Sequence, residues 1–473
     1  MTIEPVVRRM VIKVEVDHWM WSSTSRVKET FDLTPLVVSY QWQKSIKTPM
    51  GGCSITCLPQ LAERSIIEIV DPMDIVRISE FGTVKFVGYV RKVSFTGTIR
   101  ADGKPSRVCV ITSTAMGGIF QESNLGANLF LLQKSPEFFN TAQDLATKIA
   151  DKCKQDAPIG DVVKTVVDAW LDFVDSASGS AAYRNWFNSL IDYETGVAET
   201  KVPGFAREWM AFTGTEENLS LWQLLQKFGE APFYELWFDT GPRKVVAGSS
   251  TISLPGGTSP KTALVCRPTP FNGTVDYQGV NHNYFDTLDV KRVPKSHLIK
   301  YDLNKSMEEV YTFYISHPAI WNMQERLLVA AGQAVKDDTK IAKYLYRPLT
   351  VQEFYGRIGE ASKDASVTPD NTKDLEDSLL YGATTLKNWF QYSDIMLSGA
   401  ILIMVPKKPE NDVWIGDKIE IEGLTGYFYV ESVQHSWKYQ GSLTASLNVT
   451  RGLDGVDQIV LANRMFKTMR QAK

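Results

Sequence analysis

The chain is short of the features by which many proteins declare their chemistry. Its longest uninterrupted apolar run is Ala400 to Val405, against the roughly 20 residues that a membrane-spanning helix needs. No helical bilayer span is expected. The five cysteines in 473 residues are too few for a disulfide scaffold. There is no basic run and no acidic tail, and a formal net charge of -3 leaves no nucleic-acid footprint. The opening residues, MTIEPVVRRMVIKVEVDHW, alternate apolar and polar side chains and carry charges throughout. They read as a strand and not as a signal peptide, so a reducing cytoplasm is the default expectation for synthesis.

Catalytic signatures are equally scarce. The sequence has no Gly-x-Ser-x-Gly elbow, no His-Glu-x-x-His and no dinucleotide fingerprint. Gly97 to Lys104, GTIRADGK, approaches a phosphate-binding loop, but its glycines are one residue too far apart and Pro105 stands where Ser or Thr is required. Strands flank it, so it reads as a hairpin turn. Cys53 and Cys57 lie on one face of a strand, where four steps of about 3.3 Å hold them roughly 13 Å apart. That is too far to share a metal ion or a disulfide, and both read as core thiols. The five histidines, His18, His282, His297, His317 and His435, are scattered singly. His435 shares a strand face with Val433 and Trp437, which suits a packed histidine better than a general base. No catalytic, cofactor-binding or metal-binding residue is assigned, and no cofactor is expected. Carboxylates are numerous, so an unsignalled Asp or Glu pair such as a glycosidase uses stays open.

What the sequence does have is hydrophobic periodicity of two kinds, within a composition 44% apolar and 22% charged that allows two to four domains. Strand alternation dominates residues 1–118: Met10, Ile12, Val14 and Val16 form one face of the first strand. Others follow at Cys53 to Leu58, Ile75 to Ile78, Val84 to Phe95 and Val108 to Ile111. A closed or nearly closed β-barrel would remove the edges of so many short strands. A mostly helical insertion is expected over 119–205. Its signals are a cap at Thr141 with Asp144, the run Val162, Val163, Val166, Val167 and Trp170, and the run Tyr183, Trp186, Phe187, Leu190 and Ile191.

Residues 206–260 read as a helix opened by the capping box SLWQ at Ser220, closed at Gly229, and followed by a strand, APFYELWFDTG, whose return is Arg243 to Ala247. A strand at Leu264 to Cys266, stopped by two prolines, falls in 261–302. Helices are expected again over 303–393, with Leu375, Leu379, Leu386 and Phe390 on one stripe and a polar loop at 362–372. Strands Ile401 to Val405, Lys418 to Ile421, Tyr427 to Trp437 and Leu443 to Val449 fill 394–453, and 454–473 is a basic tail. Trp19, Trp21, Trp42, Trp222, Trp237, Trp414 and Trp437 sit in apolar-periodic segments, which predicts core packing for them. A row of exposed Trp would instead indicate a carbohydrate-binding module.

The two strand-rich ends resemble one another. In DIVRISEFGTVKFVGYVRKVSF, from Asp74, and DKIEIEGLTGYFYVESVQHSW, from Asp417, an Asp introduces a short strand, and a turn and a longer strand follow. Val87, Tyr89 and Val93 then match Tyr427, Tyr429 and Val433, with a turn three residues longer in the first copy. Any two amphipathic hairpins share part of this pattern, so duplication and coincidence both stay open.

Four segments carry a resemblance to a known family. DPMDIVRISEFGTVKFVGYV is similar to the first-barrel signature of the baseplate hub proteins of phage tails and contractile injection systems. That class includes the late-control tail protein and the hub portion of the type VI valine-glycine repeat proteins. SLWQLLQKFGEAPFYELWFDTG resembles its helix and Pro-Phe-x-Glu-Leu-x-x-Asp strand, LVCRPTPFNG its Arg-Pro-x-Pro-Phe element, and WIGDKIEIEGLTGYFYVESVQHSWKYQGSLTASLNVTRG its closing hairpin. The segments cover about a third of the chain in the family's order.

The resemblance implies an α+β fold of two tube-like β-barrel domains with helical insertions. It further implies a noncatalytic homotrimer whose six barrels adapt a sixfold tail tube to a threefold spike, in a virion baseplate or phage-tail-like particle made in the bacterial host cytoplasm. The implied partners are the spike protein, here a separate chain, and the tail tube or distal tube-initiator protein, with tape-measure and baseplate wedge proteins beyond them. Neither a membrane nor sequence-specific nucleic acid is among them. A tail-associated glycan hydrolase acting on the cell wall is the alternative.

Overall fold

The computed structural model describes residues 12–21, 26–61, 63–99, 105–123, 157–197, 201–202, 220–229, 234–241, 243–254, 261–270, 276–277, 280–282, 284–318, 334–353, 380, 382–408, 411–424 and 426–453. The cap at Thr141, the polar stretch 362–372 and the basic tail lie outside them.

Seven strands form the first strand region: β1 (Ile12–Met20), β2 (Arg26–Asp32), β3 (Val37–Ser45), β4 (Gly52–Cys57), β5 (Ile75–Glu80), β6 (Thr83–Ile99) and β7 (Pro105–Ala115). Six more form the second: β10 (Val290–Val293), β11 (Leu298–Asn304), β12 (Met396–Met404), β13 (Lys418–Ile421), β14 (Tyr427–Lys438) and β15 (Thr444–Leu453). All thirteen belong to one sheet, ordered β2-β1-β5-β6-β7-β4-β3-β14-β15-β12-β11, with β13 on β14 and β10 on β13. Among the described residues this path is open, and no pairing joins its two ends. The fold is thus mostly β with helices.

Alternation explains the strands. In β1, Ile12, Val14 and Val16 are buried while Lys13 is exposed, as a strand with one face on a core requires. Cys53, Ile55 and Cys57 all face inward from β4, and the Cys57 thiol donates to the Cys109 carbonyl at 3.6 Å. The β6–β7 pairing continues to Ile99 opposite Pro105, so the glycine-containing stretch read as a hairpin turn begins inside the strand, at Gly97.

Between the strand regions lie α1 (Ile159–Ser178), α2 (Ala182–Leu190), α3 (Leu221–Gly229), β8 (Tyr234–Thr240) and β9 (Thr262–Pro268). Val163, Val166, Val167 and Trp170 of α1 and Trp186, Phe187 and Leu190 of α2 are buried in one core with α3 and β8. The Ser220 box forms as its spacing predicts: Ser220 N–H donates to Gln223 Oε1 at 2.8 Å, and Gln223 N–H to Ser220 Oγ at 3.1 Å.

Three expectations change. Ile191 leaves the helix and opens a short strand beside β9. Lys244–Ala247 does not return along β8; it pairs with Ser250–Ser253, and β8 pairs instead with β9. The reason is that seven consecutive residues of each of β8 and β9 are buried, so each needs a partner that is itself covered on both faces. Residues 303–393, expected to be helical, also carry strands at Phe313–Pro318 and Pro348–Glu353, paired in parallel.

The repeat seen in the sequence is present at the level of single hydrogen bonds. Ile75, after Asp74, lies opposite Tyr89, and Lys418, after Asp417, opposite Tyr429. The Asp74 carboxylate accepts from Asp71 N–H at 2.8 Å, and that of Asp417 from Trp414 N–H at 2.9 Å. The preceding residue is left-handed in both, Met73 at φ 75 and Gly416 at φ 79. A bulge then falls between Val90 and Lys92 in β6 and between Val430 and Ser432 in β14. The neighbours correspond as well: Ile55 of β4 stands between Ile111 and Tyr40, and Ile401 of β12 between Leu447 and Tyr301. One element departs, since β1 runs antiparallel to β5 whereas β10 runs parallel to β13.

Candidate functional site

The repeats meet where β3 lies along the second half of β14, from Ser45 opposite Ser432 to Ser39 opposite Lys438. Charged side chains are buried all along this seam. His435 Nδ1 is 2.6 Å from Glu80 Oε2, and Glu80 Oε1 accepts from Tyr40 Oη at 2.8 Å and Trp42 Nε1 at 2.9 Å. Burial opposes ionisation of Glu80, but His435 and these donors outweigh it and hold its carboxyl below the ordinary range. Next to them Lys85 of β6 pairs with Asp412 and lies 4.2 Å from the centre of the Trp414 ring. Lys44 of β3 donates to Thr240 at 3.0 Å; burial pushes its amine down to about 8.

A second network ties the β8–β9 pair to the second repeat, and most of its residues come from the quoted segments. Arg267 Nε donates to Glu235 at 3.2 Å, its Nη1 to the Val246 carbonyl at 2.8 Å, and its Nη2 to the Gly416 carbonyl at 3.0 Å and the Tyr429 hydroxyl at 2.9 Å. Tyr429 in turn donates to Glu235. Arg243 spans Asp239, at 2.7 Å, and Asp417, at 3.1 Å. Glu235, Asp239, Arg267, Asp417 and Tyr429 are thus brought together from three of the four segments.

A cleft of about 340 Å³ opens beside this network, lined among others by Lys85, Arg243, Asp412, Trp414 and Asp417. Asp412 is held by Lys85, and Asp417 by Arg243 and the Trp414 N–H. These carboxylates are engaged in holding the fold. Among the described residues no group of three or more His, Cys, Asp or Glu is placed to hold a metal ion, and no helix is long and apolar enough to cross a membrane.

Of the tryptophans expected in the core, Trp19, Trp42, Trp222 and Trp237 are buried and Trp414 and Trp437 half-buried. Trp21 is the exception at 47% exposed. It follows the end of β1, and its ring rests 5.3 Å from that of Trp186. His435 is buried, with its ring against the Glu80 carboxylate. Sequence reasoning missed its partner Glu80, along with Lys44, Lys85, Arg243 and Asp412. The available signal was an alternation in β3, where Tyr40, Trp42 and Lys44 point inward.

No protein-family model and no curated protein matches the chain. Solved structures do. It is similar to a tail protein from Neisseria meningitidis MC58, with 12% identity and a TM-score of 0.47 over 93% of this chain and 96% of that one. It is similar to the 43 kDa tail protein of prophage MuSo2 from Shewanella oneidensis, with 11% identity and a TM-score of 0.46 over 93% of this chain and 98% of that one. A prophage tail protein from Listeria monocytogenes EGD-e gives 10% identity and a TM-score of 0.40 over 97% and 99%. All three are tail proteins.

Proposed function

We propose that this chain is a structural hub subunit of a tail baseplate, in a phage or phage-tail-like particle. Three copies form a ring of six barrel-like repeats that seats a sixfold tube on one side and a threefold spike on the other. The observation that carries this reading is the repeat: two strand units with the same Asp turn, bulge and register, joined within one chain by the β3 edge along the second half of β14. A tandem of similar units joined by the edge of one and the side of the other is the element from which a closed, rotationally symmetric ring is built. The order of the quoted segments supports the same reading. The two networks then have a mechanical role, fixing the angle between repeats so that the ring closes at a set size.

The reading is noncatalytic, and the ion pairs of Asp412 and Asp417 support that. The test is the solution mass by light scattering, alone and with the spike protein encoded nearby. A mass of three chains is expected in one of the two conditions. A single-chain mass in both, together with clearing in a cell-wall zymogram, would transfer the assignment to a glycan hydrolase.

A further inference from the structure

The correspondence between the repeats leaves two strand edges over, one in each. In β14 the first residues pair with β13 and the later ones, Ser432 to Lys438, with β3. In β6 the first residues pair with β5 in the same way, up to Tyr89. Beyond the bulge, Lys92 to Gly97 pair among the described strands with β7 alone. The strand that corresponds to β3 is β11, and it pairs among the described strands with β12 alone. Each repeat therefore has a β3-like edge and a β14-like groove, and only one of the two possible combinations is satisfied inside the chain.

We infer that β11 of one copy of this chain pairs antiparallel with the second half of β6 of the next copy, repeating between chains the junction that β3 and β14 make within one. This rests on the ring reading and specifies the surface through which the ring closes. The register follows from the internal junction. Carried across, it sets Ser94 opposite Asn304, Phe95 opposite Leu303, Thr96 opposite Asp302 and Gly97 opposite Tyr301.

The side chains suit that arrangement. Phe95 is 46% exposed and Tyr301 50% exposed, a level unusual for large apolar groups on strands. They occupy the positions of His435 and Tyr40, which in the internal junction are buried, His435 with its ring 4.3 Å from that of Trp42 and Tyr40 with its ring 5.9 Å from that of Trp437. Where the internal junction has Trp437, β6 has Gly97, and nothing lies within 4 Å of where a Cβ would stand. That leaves room for the Tyr301 ring to lie across the neighbouring strand. An unpaired edge of this length is also a liability in a single chain, and a second copy removes it.

The internal junction tells which cross-strand pairs are close. Ile46 N–H donates to the Glu431 carbonyl and Tyr439 N–H to the Val38 carbonyl, so the pairs at Ser436 and Gln41 are of the non-hydrogen-bonded kind, with Cα atoms about 4.5 Å apart. Thr96 and Asp302 are the corresponding pair, and such a spacing accepts a disulfide.

The test is oxidation of the full chain carrying T96C and D302C together, run beside each single variant on a non-reducing gel. Covalent species of two and three chains in the double variant alone support the pairing. Species that continue past three chains also support the pairing and overturn the closed three-chain ring. A three-chain mass by light scattering with no cross-link in the double variant overturns the edge assignment and leaves the ring. A single-chain mass with no cross-link, both alone and with the spike protein present, overturns both. F95K gives a second arm: a three-chain mass is expected to fall to one chain with the circular dichroism spectrum of the folded chain retained and a melting midpoint that no longer depends on concentration, and a retained three-chain mass overturns the pairing.

Discussion

Two buried side chains decide how the seam between the repeats responds to pH. Glu80 is fully buried and its folded carboxyl is held below its ordinary 4.5. Its stabilising contribution is therefore present above pH 4.5 and is lost as the pH falls below that value. E80Q is expected to destabilise the chain by about 2 kcal/mol at pH 7, since the buried Tyr40 hydroxyl, Trp42 indole N–H and His435 ring lose the ionised carboxylate on which they converge. In denaturant titrations the variant should also lack part of the wild-type decline below pH 4.5; identical slopes would refute the pairing. Lys44 acts in the opposite sense. Its folded value of about 8 lies below the ordinary 10.5, so the unfolded chain binds more protons between those values and stability rises with pH across that window. Below pH 8 the buried ammonium opposes folding in full. K44M should then stabilise the chain by about 1–2 kcal/mol at pH 7, with the gain shrinking between pH 8 and 10.5. Neither residue was legible as important in the sequence, because a lone Glu or Lys in a strand looks the same whether it faces solvent or a partner more than 150 residues away.

At the scale of elements, the strongest local signals were sufficient. The Ser220 box was readable because both of its hydrogen bonds are made within four residues, and S220A should cost about 1 kcal/mol of stability in a thermal or denaturant melt. The turn before β13 was readable in part. Asp417 was seen to introduce a strand, but the reason lies in Gly416, whose φ of 79 favours glycine and whose added Cβ would stand 2.7 Å from Arg267 Nη2. G416A is expected to destabilise by about 2 kcal/mol and to loosen the Arg267 network, measurable as faster hydrogen exchange at the Tyr429 amide. The strand β3 was not recognised. Its inward set is Val37, Tyr40, Trp42 and Lys44, an alternation shifted by the register break near Ser39 and masked by a lysine on the core side. The partner of β8 was misassigned for a related reason: a strand buried on both faces has no alternation to say which neighbour it takes.

For the whole molecule, the sequence comparison of Asp74 with Asp417 left duplication and coincidence open, and the shared register, Asp turns and bulges made the correspondence specific. What it left unseen was that the repeats share a core. Val14, Trp42 and Ile111 of the first lie in the same apolar cluster as Ile401, Phe428 and Leu447 of the second. Long-range contact of this kind leaves no trace in local periodicity. One cooperative calorimetric transition is therefore expected for both strand regions, and two resolved transitions that follow the repeats separately would contradict the shared core.

The seam within the chain has a consequence for counting. Because the two repeats are synthesised as one polypeptide and already docked, they enter any assembly as a pair. A closed ring built from them contains an even number of units whatever the rotation between neighbours, so rings of five or seven are ruled out by parity alone. Half of the contacts in such a ring form at an effective concentration set by the chain itself and do not weaken on dilution. The two halves are also free to diverge in sequence. A ring of such pairs then presents two kinds of wall in alternation.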